Sequence, residues 1–339
     1  MVSIPFVPHY TIHLTLSKIK HMESKQIEIE ISYEADEQLK LLEDSFKEKD
    51  IFFYSGDINN STGDLVARTI ESLDTKKQAY FAISTYGGDP DSAYRMSRYL
   101  QEKYDSWIAV VPGYCKSAGT LFVLGAGEIA MAGMGELGPL DIQLLRPDEF
   151  MKNSSALCIT QALDLLASKS FEAFEESFLK LRQRSGGQIT TKTAGEIAST
   201  MSVGLFKEIA EKVDPNVLGE VQRANQIGLH YGVRLGAPER VVRRLMQHYP
   251  SHSFVIDRKE ASSILENCRA WSPVEKFVFS VVDSELDSAD EGGILEYPRR
   301  APMLCKVNLS FVKKESEVEE DKVNEQSNEN ESIETEKED

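Results

Sequence analysis

The residues best suited to chemistry stand where successive apolar runs end in small-residue turns. One run closes on Gly87-Gly88 and the next on Ser117-Ala118-Gly119, and a Gly-Pro-Leu-Asp turn, Gly138 to Asp141, comes later. A serine at the head of a helix can attack an acyl carbon if backbone N–H groups stand ready for the developing oxyanion. Ser117 is the candidate nucleophile, and the N–H groups of Gly88 and Ala118 are the candidate donors. Gly87 supplies the freedom of the turn, and the helix N-terminus adds a favourable potential for an anion. Each residue also has a plainer use. Ser117 suits a helix N-cap, Ala118 and Gly119 suit close helix–strand packing, and a double glycine suits any tight turn. Two such turns on adjacent strands favour the chemical use.

The elements that must position these residues follow the same rhythm. Ile51–Tyr54, Ala79–Ile83, Trp107–Val111 and Glu128–Ala132 are apolar runs of strand length, as expected for a parallel sheet covered by helices on both faces. Helices are predicted over Asp64–Leu73, after the cap Asp89 with Pro90 in the first turn, and over Ser117–Leu124. In a parallel sheet this order puts both turns at the carboxyl ends of strands, where α/β proteins build their sites. Before this core, residues 1–45 alternate apolar and polar positions and predict a small antiparallel element. The core proper spans 46–150. Residues 151–312 are predicted to be mainly helical, completing the fold and offering an oligomer interface through the face of Phe171, Phe174, Phe178 and Leu181.

Composition narrows the partners. Of the net charge of −17, about half lies at the C-terminal end, where residues 313–339 hold 4 lysines against 12 acids and no aromatic residue. Such a tail cannot bury enough apolar area to offset its ordering entropy, so disorder is expected there. Nucleic acid is excluded as a direct partner by the scarcity of clustered basic residues, and Arg240, Arg243 and Arg244 read as a solvated helix face. Four scattered cysteines form neither a disulfide framework nor a zinc site, which suits a cytoplasmic protein. No run is long enough to span a bilayer. Neither a metal nor another cofactor is expected.

Three segments together resemble a known family. Thr85-Tyr86-Gly87-Gly88, Val111 to Thr120, and Glu136-Leu137-Gly138-Pro139-Leu140-Asp141-Ile142-Gln143 are similar to the serine dehydrogenase proteinases. These belong with Clp protease subunits, signal peptide peptidase A and the crotonases. The resemblance is strongest over residues 50–145 and extends more faintly to Tyr249-Pro250-Ser251-His252 and Phe254–Asp257. It implies an α/β, Clp/crotonase-like spiral of strand–helix units with a helical C-terminal region. Its implied activity is a serine peptidase acting through an acyl-enzyme on Ser117. Two positions depart from the family pattern: Tyr86 replaces proline and Lys116 replaces an apolar residue.

The base is left open by these residues. No histidine occurs between His21 and His230, so the one that Clp proteases carry after their serine is missing, and Asp141 falls near its place. Asp141 suits the orientation of a base better than the role itself. His252 is the histidine candidate, Lys152 and Lys169 are lysine candidates, and Lys116 is expected to point away from Ser117. The expected substrate is a peptide or protein and the expected assembly a homo-oligomer. Two alternatives stand beside the peptidase: a catalytically silent oligomeric scaffold and a crotonase-like acyl-CoA enzyme.

Overall fold

Long strands of the core turn a corner before their helices begin. In the computed structural model, which describes residues 10–18, 24–33, 43–44, 46–140, 143–144, 154–211, 215–286 and 303–313, this corner builds a second, smaller layer. The chain opens with β1 (Tyr10–Lys18) and β2 (Ser24–Tyr33), paired antiparallel. The core follows as β3 (Lys49–Ser55), α1 (Asn60–Glu71), β4 (Gln78–Ser84), α2 (Pro90–Lys103), β5 (Ser106–Val111), β6 (Tyr114–Cys115), α3 (Ala118–Val123), β7 (Glu128–Met131) and β8 (Glu136–Leu137). Beyond it lie the short pair β9 (Gln143–Leu144) and β10 (Ser154–Ser155), then α4 (Ala156–Arg184), α5 (Thr191–Ala210), α6 (Pro215–Arg234) and α7 (Glu239–Gln247). The last elements are β11 (Ile256–Asp257), α8 (Arg258–Ile264), β12 (Cys268–Ala270), α9 (Pro273–Leu286) and β13 (Met303–Lys313).

The main sheet has the order β1-β2-β13-β3-β4-β5-β7-β12, and the pairs from β3 through β12 are all parallel. Its central strands are buried on both faces, which is why they read as unbroken apolar runs. Phe81, Trp107 and Phe122 meet at its heart, with Phe122 ring centroids 5.1 Å from both partners. Burying each such ring contributes on the order of 1.5–3 kcal/mol. Asn59 caps α1 through Thr62 N, and Asp89 caps α2 through Ser92 N with Pro90 at the first helical position. Ala93, Met96 and Leu100 face inward on α2, as their spacing predicts.

The second layer has the order β6-β8-β11. Two isolated bridges extend it, Thr85 to Cys115 and Ile58 to Gly88. The alternation of a long strand, a corner strand and a helix makes an α/β spiral of strand–helix units, as the sequence predicts. Both turns of interest lie on this corner layer, at the carboxyl ends of β4 and β5.

One element of the sheet escapes sequence patterning. β13 inserts between the N-terminal strand β2 and the core strand β3, parallel to the first and antiparallel to the second. Lys306 on β13 is buried and pairs with buried Asp50 on β3, whose other carboxylate oxygen accepts from Tyr104 Oη at 3.0 Å. The region after residue 150 therefore contributes strands to the main sheet as well as helices. The three arginines of the basic cluster lie on α7 and face Glu266, Glu239 and Glu260. The acidic tail beyond Lys313 lies outside the described residues.

Candidate active site

Ser117 carries the most unusual backbone among the described non-glycine residues. Its φ is +52° and its ψ −114°, and it is the one non-glycine with positive φ among the described residues. Such a conformation costs about 1–3 kcal/mol and persists only where the surroundings enforce it. The N-cap alternative is not realised, because the Ser117 side chain makes no capping hydrogen bond. Its hydroxyl accepts or donates no hydrogen bond among the described residues, and it stands half-buried at the head of α3.

The surroundings that enforce this turn are on the page of the sequence as glycine and threonine. Thr85 N donates to Tyr114 O at 2.8 Å and Lys116 N donates to Thr85 O at 3.0 Å, which stitches the β4 turn to the β5 turn. Thr85 Oγ1 accepts from Gly87 N at 3.0 Å. Gly87 and Gly88 both hold positive φ, +117° and +136°. A Cβ on Gly87 would stand 2.8 Å from Ser117 Cβ and 3.3 Å from Ala118 N, so the double-glycine turn lies directly against the serine. A Cβ on Gly88 would strike Ile58 O at 2.0 Å. Gly119 does serve packing: a Cβ there would meet Thr85 Cγ2 at 2.4 Å.

The amides around Ser117 are not equivalent. Gly87 N is engaged by Thr85 and Gly119 N by Lys116 O. The N–H groups of Gly88 and Ala118 have no acceptor among the described residues. Two unengaged donors on either side of a serine are what an acyl oxyanion requires. Cys115 does not compete as the nucleophile, since burial pushes its thiol well above the ordinary cysteine range.

The remaining candidates fall in different places. Gly138 is fixed by Thr120, whose hydroxyl lies 3.1 Å from Gly138 N and 2.8 Å from Gly138 O. Leu140 N donates to Leu245 O of α7 at 3.0 Å. The turn that leads to Asp141 is thus held by α3 and α7, while Asp141 itself and Lys152 lie outside the described residues. Lys169 is exposed and pairs with Glu172. His252 is half-buried in the turn before β11, and Ile256 of that strand pairs with Leu137. That pairing brings the His252 segment to the layer that carries Cys115 and Ser117, without a hydrogen bond to the serine.

Two groups beside the serine have no obvious role in the sequence. Lys116 is buried and forms a 2.8 Å ion pair with Glu136. Tyr86 is 50% exposed and its ring lies 5.2 Å from that of Tyr114, so an aromatic pair flanks the turn.

No family model and no curated protein matches the chain. Similar solved structures include the 1510-N membrane-bound stomatin-specific protease as a serine-to-alanine mutant. That structure is 12% identical with a TM-score of 0.39, over 79% of this chain and 96% of the other. Another is a lysine-to-alanine mutant of the same protease in complex with a substrate peptide. It is 13% identical, also with a TM-score of 0.39, over 79% and 91% of the two chains. At that distance nothing about activity transfers, and the strand order and the corner layer carry the description of the fold. Among the described residues no helix is long and apolar enough to cross a membrane, and no cluster of His, Cys, Asp or Glu could hold a metal ion.

Proposed function

We propose that the chain is a serine hydrolase that cleaves peptide or protein substrates through an acyl-enzyme on Ser117. The observation that carries this reading is the strained Ser117 backbone, set between the unengaged amides of Gly88 and Ala118. Attack of Ser117 Oγ on a peptide carbonyl forms a C–O bond and an oxyanion. Each amide donor to that oxyanion is worth about 2.7–4 kcal/mol at the transition state. Collapse expels the amine, which takes up the proton removed from the serine, and water then releases the acyl group. His252 is assigned as the base and Asp141 as the charge that orients it, with Gly87 shaping the turn. Membership of the serine dehydrogenase proteinases is part of the same proposal.

A crotonase-like acyl-CoA enzyme would use the two amides and leave the serine idle. The strain at Ser117 favours the peptidase, because an idle serine gives no reason to hold φ at +52°. The homo-oligomer is proposed on a separate observation: α4 and α5 expose Leu165, Phe171, Leu179, Met201 and Leu205.

Hydrolysis of a pool of fluorogenic peptides tests the reading. Turnover by the wild type and its loss in a folded Ser117→Ala protein are expected. Equal turnover by both proteins would overturn it, and turnover of acyl-CoA thioesters with no peptide hydrolysis would favour the alternative.

A further inference from the structure

We infer that Lys116 is a positioning residue, a buried cation that fastens the His252 segment to the backbone of the nucleophile. This rests on Ser117 as nucleophile and adds to it the means by which a distant stretch of chain is held beside the serine.

Lys116 is only 7% exposed, and its main chain is fixed on both sides of the turn. Its N–H donates to Thr85 O and its carbonyl accepts from Gly119 N at 2.8 Å. The side chain then runs beneath Gly138, where a Cβ would stand 2.8 Å from Lys116 Cδ. At its end the ammonium meets three oxygens from two other stretches of chain. Glu136 Oε1 is at 2.8 Å, and Leu137 O and Phe254 O each accept at 3.4 Å. An ammonium has three protons to donate and no acceptor, so the three partners match its capacity. A buried cation is costly unless its donors are satisfied, so the arrangement is stable only with β8 and the Phe254 stretch both in place.

The segment needs that tie. Phe254 and Val255 are 37% and 50% exposed, so apolar burial does little to hold them beyond the Phe254 contact with the Tyr249 ring at 5.1 Å. Within the stretch from His252 to Ile256, Ile256 is fastened by pairing with Leu137 and Phe254 by Lys116, and Phe254 N donates to Ser251 O at 3.1 Å. An apolar side chain at 116 would fill the space beneath Gly138 and give Phe254 O no donor. Lysine at this position therefore couples the nucleophile's own turn to the histidine two residues before Phe254.

Hydrogen exchange and serine labelling on the full chain separate the parts of this proposal. In Lys116→Met, amide exchange across residues 251–256 should quicken by roughly tenfold or more, while the β4 and β5 core keeps its protection. The maximal rate of fluorophosphonate labelling at Ser117 should fall by roughly tenfold or more with probe affinity little changed, because geometry and not binding is lost. If Glu136 left alone in the interior unfolds that variant, Lys116→Met/Glu136→Met removes both charges and should show the same two changes. Unchanged exchange across 251–256 would overturn the clamp. Quickened exchange with wild-type labelling would overturn its role in positioning. A folded wild type that does not label at all would defeat the nucleophile reading and the positioning role with it, while the exchange result still decides whether the clamp exists.

Discussion

Gly87 and Ser117 are in such close contact that a single added methyl group on the glycine would fall 2.8 Å from the serine Cβ. The glycine has no freedom to move away, since its amide is held by Thr85 Oγ1 and its carbonyl accepts from Ile58 N. The serine's strained backbone and the glycine's positive φ therefore form one unit.

Gly87→Ala should accordingly abolish hydrolysis by displacing the serine, with a loss on the order of a hundredfold or more. The strained φ adds a stability cost of about 1–3 kcal/mol. Activity assays paired with thermal melts check this, and a stable Gly87→Ala protein at full activity would show that the contact does not bear on catalysis. Gly88 cannot be probed in the same way. Any side chain there strikes Ile58 O, so a loss of activity in Gly88→Val would report a broken turn as readily as a lost donor.

Thr120 is expected to matter although it touches no substrate. It is buried and its hydroxyl serves both polar groups of Gly138, the residue that opens the turn to Asp141. Thr120→Val keeps the shape and removes those bonds. The cost should be about 1–3 kcal/mol of stability, from the buried Gly138 N–H left without its acceptor. A fall in turnover of roughly tenfold should follow if the turn orients the base. Denaturant titration and steady-state kinetics on the same preparation separate the two effects.

In the sheet, β13 stands between the N-terminal pair β1 and β2 and the core, and Lys306–Asp50 is a buried tie at that junction. Lys306→Met should cost about 3–5 kcal/mol, because it strands a carboxylate in the interior. Asp50→Asn in the same protein should recover much of that loss. Chemical denaturation of the single and double variants is the check.

Alkaline pH should destabilise the fold through its buried tyrosines. Burial is the largest cause raising the phenols of Tyr54, Tyr80 and Tyr104 above the ordinary value of 10.0, with Asp50 adding to it at Tyr104. A group whose pKa is raised in the folded state lends stability that is complete below pH 10 and is lost as pH climbs through the folded value. Tyr249, pushed up to about 12, acts in the same direction. Lys306 opposes them, because burial lowers its pKa and relief of that cost favours the fold as pH approaches 10.5. Burial lowers the pKa of the Lys49 ammonium as well, so it acts as Lys306 does; three buried phenols outweigh these two lysines, and melting temperatures should fall steadily above pH 10. A step in phenolate absorbance should accompany unfolding, as the rings of Tyr54, Tyr80 and Tyr104 reach solvent.

What the chain reveals before folding follows from where its information is local. β3, β4 and β5 are legible because a strand buried on both faces must be apolar at every position. The Gly87-Gly88 and Ser117-Ala118-Gly119 turns are legible because few residue types tolerate such turns. β13 is not, because Lys306 looks like a surface residue until Asp50, far earlier in the chain, is placed beside it. The corner strands β6, β8 and β11 have two residues each, too few for any period to show. The role of Lys116 is hidden for the same reason, since its acceptors at Glu136, Leu137 and Phe254 meet only in space. Thr85 and Thr120 had one local clue, a threonine just before a glycine turn and another just after one.

The reactivity of Ser117 tests the account most directly. Intact mass of the folded protein after exposure to a fluorophosphonate should show one adduct, which peptide mapping places on Ser117 and which is missing in Ser117→Ala. That variant should remain folded, because the serine hydroxyl holds no cap and makes no hydrogen bond among the described residues. An unlabelled wild type whose fold is intact, or an adduct that persists in Ser117→Ala, would contradict the assignment of Ser117 as the nucleophile.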